Sequence, residues 1–143
     1  MTKLKYLLIT FLILLISSCK LRPSKIRDVN LIVNNFNMSQ LSSSGEKLYE
    51  IRSPNSKFNK HAQVYLLDNT EIIFYEDKVI KYTVNSNNAK LLNHEILELT
   101  GNIKITDISD EKNIITADKF YWEIKNSNFI LEGNVRLNNN NID

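Results

Sequence analysis

Leu97-Glu98-Leu99-Thr100-Gly101-Asn102-Ile103-Lys104-Ile105 and Phe129-Ile130-Leu131-Glu132-Gly133-Asn134-Val135-Arg136-Leu137 are two copies of one pattern, thirty-two residues apart. Each places its apolar residues on one parity, interrupted by Gly-Asn and resumed as aliphatic, basic, aliphatic. Alternation of period two is the signature of a strand with one buried face. A glycine on that same inward face marks a bulge or a bend where the strand turns a corner. Ala89-Lys90 ahead of the first copy and Ala117-Asp118-Lys119 ahead of the second extend the likeness, with a spacing to the glycine that differs by four residues.

The same alternation runs from Leu31 onward, in short stretches broken by Asn, Asp, Ser and Gly, and helical periodicity is hard to find. Strands are predicted at 47–52, 62–67, 71–76, 79–85, 95–100, 102–107, 114–124, 128–132 and 134–137. Turns are predicted at Asp68-Asn69, Glu76-Asp77, Asn85 to Asn88 and Asn126 to Asn128, where Asn and Asp tolerate left-handed backbone. Short, evenly spaced strands with an internal repeat fit a sandwich, a barrel or a β-solenoid. Parity points Ile72, Phe74, Ile80, Tyr82, Val84, Leu97, Leu99, Ile103, Ile105, Phe120, Trp122, Ile124, Phe129 and Leu131 inward, and Lys81 and Glu98 outward.

The first residues belong to a different kind of segment. Lys3 and Lys5 precede Tyr6 to Ile16, an apolar run that suits a signal h-region and is too short to span a bilayer. Ile16-Ser17-Ser18-Cys19 follows and resembles the lipobox of bacterial lipoproteins, which implies cleavage and acylation at Cys19. Cys19 is the single cysteine, so no internal disulfide is available to it. An ordinary secretory signal with a chance cysteine, or an uncleaved short anchor, is the other reading of these residues. Lys20 stands where an aspartate would signal inner-membrane retention, which leaves the membrane open. The expected organisation is a lipoprotein signal peptide at 1–18, a lipidated tether at 19–30, one β domain at 31–137 and a polar tail at 138–143. About 125 residues remain after cleavage, enough for one domain with its own core.

Without Lys3 and Lys5 the eighteen basic residues fall to sixteen, matching the sixteen acidic ones. The basic side chains are scattered singly, which argues against a nucleic-acid partner. His94-Glu95 begins like the zinc-protease H-E-x-x-H, but Glu98 stands where the second histidine belongs. His61 lies in a polar stretch, and two histidines with no spare cysteine do not make an ordinary zinc site. Ser42-Ser43-Ser44-Gly45 lacks the nucleophile elbow. No catalytic residue, metal or cofactor is expected, and the absence of a G-x-x-x-x-G-K-[ST] run leaves any energy supply to a partner.

The segment from Gly101 to Leu137, with Thr116-Ala117-Asp118, Phe120-Tyr121-Trp122 and the closing Leu131 to Val135, resembles the OstA-type repeat of the lipopolysaccharide transport proteins LptA, LptC and LptD. Gly45, Tyr49-Glu50-Ile51 and Phe58 resemble the opening of that pattern, so Gly45, Gly101 and Gly133 stand as its repeat glycines. One membrane-attached N-terminus followed by one copy of the fold is similar to the LptC family in particular, although that family usually keeps an uncleaved transmembrane helix. The resemblance implies an all-β chain, a single open jellyroll of two antiparallel sheets in a V. Its groove would take lipopolysaccharide, with Phe74, Tyr82, Leu99, Ile105, Trp122, Phe129 and Leu131 as lipid-binding residues. Its N-terminal edge, about 31–37, would face an inner-membrane ABC transporter complex that extracts the lipid, and its C-terminal edge, about 129–137, would pair with an LptA-like jellyroll. The expected location is the periplasm, anchored to a membrane by the N-terminal lipid. A structural β-rich envelope lipoprotein that binds proteins without carrying lipid, and a cell-envelope hydrolase, are the competing readings.

Overall fold

The computed structural model describes residues 30–110 and 113–138; the calls on the signal segment, Cys19, the tether and the last five residues lie outside them. The described residues form eight strands: β1 Asn30–Leu41, β2 Lys47–Asn59, β3 Val64–Glu76, β4 Val79–Leu92, β5 Ile96–Asp107, β6 Ile114–Glu123, β7 Asn128–Glu132 and β8 Arg136–Asn138. All pair antiparallel in one sheet in the order β1 to β7, and β8 pairs with the first half of β6 while β7 pairs with the second. Among the described residues no helix is long and apolar enough to cross a membrane.

Up to β5 the predicted strands are shorter than the real ones, whereas 114–124 and 128–132 match β6 and β7 to within a residue. Segments 62–67 and 71–76 are one strand, β3, and 95–100 and 102–107 are one strand, β5. Asp68-Asn69 and Asn85 to Asn88 are not turns between strands; they lie inside β3 and β4. Their Asn and Gly residues mark a fold line that crosses the whole sheet. Register places Asn35 of β1 opposite Pro54 of β2, then Asn69 of β3, Asn87 of β4, Gly101-Asn102 of β5, Asp118 of β6 and finally Gly133-Asn134 between β7 and β8. Asn35, Asn69, Asn102 and Asn134 all have positive φ, between 44° and 54°, and Gly101 and Gly133 have φ of 77° and 71°. Asn is among the few non-glycine residues that visit this region cheaply, which is why it recurs. Pro54 is tolerated because it sits where the ladder is already interrupted.

Bending a sheet opens backbone groups that small hydroxyls then satisfy. Buried Ser53 donates its Oγ–H toward the carbonyls of Asn55 (2.6 Å) and Asp68 (2.7 Å) and accepts from the Asp68 N–H at 3.2 Å. Buried Ser56 donates to the Val33 carbonyl at 2.9 Å, and Ser86 to that of Asn88 at 3.2 Å. At the far edge the Asn134 amide donates to Asp118 Oδ2 at 2.8 Å, and the Asp118 N–H to the Gly133 carbonyl at 2.9 Å. Gly101 is required for a second reason: a Cβ there would stand 3.3 Å from Asn87 Cβ, so the glycine lets β4 and β5 approach at the bend.

The fold line turns one sheet into two facing halves, which is how a single sheet satisfies the expectation of two sheets in a V. Contacts between strands that are not neighbours show the closure. Tyr49 of β2 meets Trp122 of β6 edge-on at 4.7 Å, and Phe74 of β3 lies 5.1 Å from the same indole. Ile51, Leu67, Ile72, Leu91, Leu97, Leu99 and Ile103 are fully buried between the halves. Each contributes roughly 1.5–3 kcal/mol from removing its side chain from water. The inward parity therefore reaches the core at Ile72, Val84, Leu97, Leu99, Ile103, Phe120 and Trp122.

Candidate functional site

The halves do not close along their whole length. On the side of β4, β5 and β7 they part into an open cleft of about 680 Å³, within the size range of small-molecule sites. One wall comes from Phe74, Tyr82, Val84 and Ile105, the other from Phe120, Phe129 and Leu131, and Tyr75, Glu76 and Lys81 complete its rim. The aromatic wall is continuous: Phe129 stacks on Trp122 at 5.6 Å and meets Phe74 at 5.8 Å and Phe120 at 5.7 Å. Tyr82 and Phe129 remain 40% and 50% exposed, so these rings offer apolar surface that the protein itself leaves uncovered.

Five of the seven groove residues named from the sequence line this cleft: Phe74, Tyr82, Ile105, Phe129 and Leu131. Leu99 and Trp122 do not. Leu99 is wholly buried, and Trp122 lies behind the wall between Tyr49 and Phe129. Alternation gives the face a residue points to but not its depth, and both lie on strands covered by the opposite half. The indole N–H of Trp122 is buried without a hydrogen-bond partner among the described residues. Of the repeat glycines, Gly101 and Gly133 sit on the fold line, whereas Gly45 belongs to the β1–β2 hairpin, where its N–H donates to the Ser42 carbonyl at 3.0 Å. An added Cβ at Gly45 would meet nothing.

A second departure changes the cleft. Tyr75 pairs with Ile80 and Phe74 with Tyr82, which leaves Lys81 as an extra residue in β4. A bulge of this kind turns two successive residues toward one face. Lys81, expected outward, accordingly lines the cleft beside Tyr82, and its ammonium stands 3.4 Å from Glu76. Beyond the bulge the parity reverses. Ile80, expected inward, pairs with Tyr75, whose hydroxyl reaches Glu50 on the outer face.

That outer face holds a charge cluster that sequence reasoning missed. The Glu50 carboxylate is almost wholly buried. It accepts from Arg52 Nη2 and Lys47 Nζ, both at 2.9 Å, from the Asn37 amide at 2.6 Å and from the Tyr75 hydroxyl at 3.3 Å. The Arg52 guanidinium, then Lys47, hold its pKa down to about 2. Every oxygen is engaged from β1, β2 or β3, so the cluster pins three strands together. The usable signal was the spacing of Lys47, Glu50 and Arg52, with Lys47 and Arg52 bracketing an acid that alternation places on the wet face.

His61 is exposed, and His94 packs edge-on against Tyr65 at 5.4 Å. Among the described residues no three His, Cys, Asp or Glu side chains form a group that could hold a metal ion.

Both edges of the sheet are open within the described residues. β1 presents Leu31 and Ile32, and the β7–β8 edge presents Ile130, Val135 and Leu137; all are at least half exposed. The family model described as "Lipopolysaccharide-assembly, LptC-related" matches residues 6–143. Comparison with curated proteins gives no match.

Proposed function

We propose a lipid-carrying role from one premise: the chain belongs to the LptC-related family of lipopolysaccharide-assembly proteins. In this reading the cleft receives acyl chains of lipopolysaccharide, and the chain is one link of a periplasmic bridge. The observation that carries it is the uncovered aromatic wall of Phe74, Tyr82 and Phe129 inside an otherwise well-packed core. Each methylene left in water costs about 0.8 kcal/mol, so a carrier must offer apolar surface along the route, and a closed core would not. In the same reading an inner-membrane ATP-driven extractor delivers the lipid, a second jellyroll receives it, and the chain supplies the passive surface.

The edges support the assembly half of the reading. β1 would accept a strand from the membrane complex and β7–β8 a strand from an LptA-like jellyroll, since unpaired N–H and C=O rows are templates for strand addition. Acylation at Cys19 would hold this unit at the membrane. The same exposed edges are what a structural envelope protein binding only protein partners would need, so the test must read lipid and not assembly.

Photo-crosslinking residues at Phe74, Tyr82 and Phe129 are expected to capture lipopolysaccharide in cells. The same probe at Lys90 and Glu98, paired on the outer face of β4 and β5, is expected to stay silent. Depleting the inner-membrane ATPase should abolish the adduct. Equal labelling on both faces, or none in a folded protein, would leave the protein-binding reading standing instead.

A further inference from the structure

Among the described residues Lys81 is the one ammonium on the lining of the cleft, and a single extra residue in β4 puts it there. Without the bulge, alternation would send it to the solvent face, and the cleft would end in Tyr82 and Ile105 alone. Its side chain is 38% exposed and lines the cleft beside Tyr82. Its partner Glu76 is more exposed, at 65%, and sits at the end of β3 beside the turn, so the pair is a loose, solvent-facing one at 3.4 Å. Glu76 holds the Lys81 pKa up, and the group stays cationic throughout the physiological range.

We propose that Lys81 is the headgroup contact of the cleft. Its ammonium receives a phosphate of the bound lipid at the rim while the acyl chains lie against Phe74, Tyr82, Ile105, Phe129 and Leu131. The inference rests on the lipid-carrying reading and adds the polarity and the orientation of the ligand: an anionic amphiphile, chains inward, charge at the β3–β4 end. A phosphate carries more charge and more acceptor oxygens than the Glu76 carboxylate, so it displaces that carboxylate, which can swing into water. One cation in an apolar cleft makes the contact selective for an anionic headgroup rather than merely tolerant of it.

The test is binding of the full-length protein to immobilised lipopolysaccharide and to the same lipid after phosphatase treatment. The wild type is expected to hold the intact lipid about fivefold more tightly than the dephosphorylated one, as a half-exposed ion pair allows. Lys81→Gln keeps the stem and removes the charge; it should weaken binding of the intact lipid about fivefold and leave the dephosphorylated lipid unchanged. Lys81→Arg should restore the preference. Glu76→Gln, which removes the competing carboxylate, should tighten intact-lipid binding, an outcome that a purely structural Lys81–Glu76 pair would not give. Weakening of both lipids alike by Lys81→Gln, or of neither, overturns the assignment. Displacement of the intact lipid by inorganic phosphate overturns it too, in favour of a free-anion site. Failure of the wild type to bind either lipid would instead sink the lipid-carrying reading itself.

Discussion

The two copies of the repeat carry nearly the same residues and live in different environments. In the first, on β5, Leu97, Leu99 and Ile103 are fully buried. Their counterparts are Phe129 of β7, half exposed, Leu131 of β7, partly buried, and Val135 in the link before β8, 51% exposed. Both copies bend at Gly-Asn with the same left-handed backbone. The pattern therefore dictates the bend and the face, and the place in the sheet dictates the burial. β5 has a neighbour on each side and the opposite half above it, whereas β7–β8 has β6 on one side and, among the described residues, no strand on the other. An apolar set that is core in the middle of the sheet becomes cleft wall and free edge at its margin.

The most direct way to break this comparison is to truncate equivalent residues. Ile103→Ala should cost about 2–4 kcal/mol in denaturant unfolding, since it leaves a cavity in a close-packed layer. Val135→Ala, at the matching position, should cost under about 0.5 kcal/mol. Similar losses at both would mean that the edge copy is covered in solution. Next in size come the glycines. Gly101→Ala should cost about 1–2 kcal/mol, because φ of 77° strains alanine and its methyl would press on Asn87. At Gly133 a methyl would stand 2.6 Å from Asp118 Oδ2 and 2.9 Å from Asp118 Cβ, but the neighbour is an exposed side chain on the margin. Gly133→Ala should show as faster amide exchange in β7 and β8, with a smaller shift of the unfolding midpoint than Gly101→Ala gives.

What was legible in the sequence follows from the same contrast. Alternation and the Gly-Asn repeat announced an all-β chain with an inward apolar set, and the apolar residues that line the cleft, Tyr75 apart, belong to that set. The strand lengths were not legible, because Asn69 and Asn87 read as turn residues whether a chain reverses there or merely bends; only the register distinguishes the two. Depth was not legible either, which is why Leu99 and Trp122 were taken for wall residues. Lys81 was hidden for a third reason. A bulge is a count of residues against a partner strand, and no local pattern around Lys81 reveals that Phe74 faces two residues instead of one.

Acid offers a control far from both copies. The pKa of Glu50 in the folded chain is depressed to about 2 from an ordinary 4.5, so its stabilisation is fully present above about 4.5 and is lost as pH falls toward 2. Lys47 and Arg52 are each more than a third exposed, so water screens the cluster and the loss should be on the order of 1 kcal/mol. Glu50→Gln should remove that part of the acid dependence, lowering stability at pH 7 and flattening the curve between pH 5 and about 2. An unchanged acid limb would assign the sensitivity elsewhere, Asp107, whose pKa the Ser109 hydroxyl and N–H hold down, being the next carboxylate to try.

The smallest effect on stability should accompany the clearest optical one. Trp122 is the single tryptophan and is buried behind Phe129, whose ring stacks on it at 5.6 Å with an interplanar angle of 25°. Phe129 is already half exposed, so Phe129→Ala removes a partial burial and one aromatic pair, together about 1 kcal/mol or less. The indole, however, loses the ring that separates it from the cleft, and water reaches it. Its emission should move to the red in Phe129→Ala while far-ultraviolet circular dichroism stays that of the intact sheet. The counterpart residue in the first copy, Leu97, pairs directly with Trp122 across the ladder; in Leu97→Ala the emission should change only as the whole protein loosens, because Leu97 faces the closed core and not the cleft. A red shift of equal size in both variants, at equal stability, would mean that Trp122 is reached by water from either side, and that the division between a closed core and an open margin is not the one drawn here.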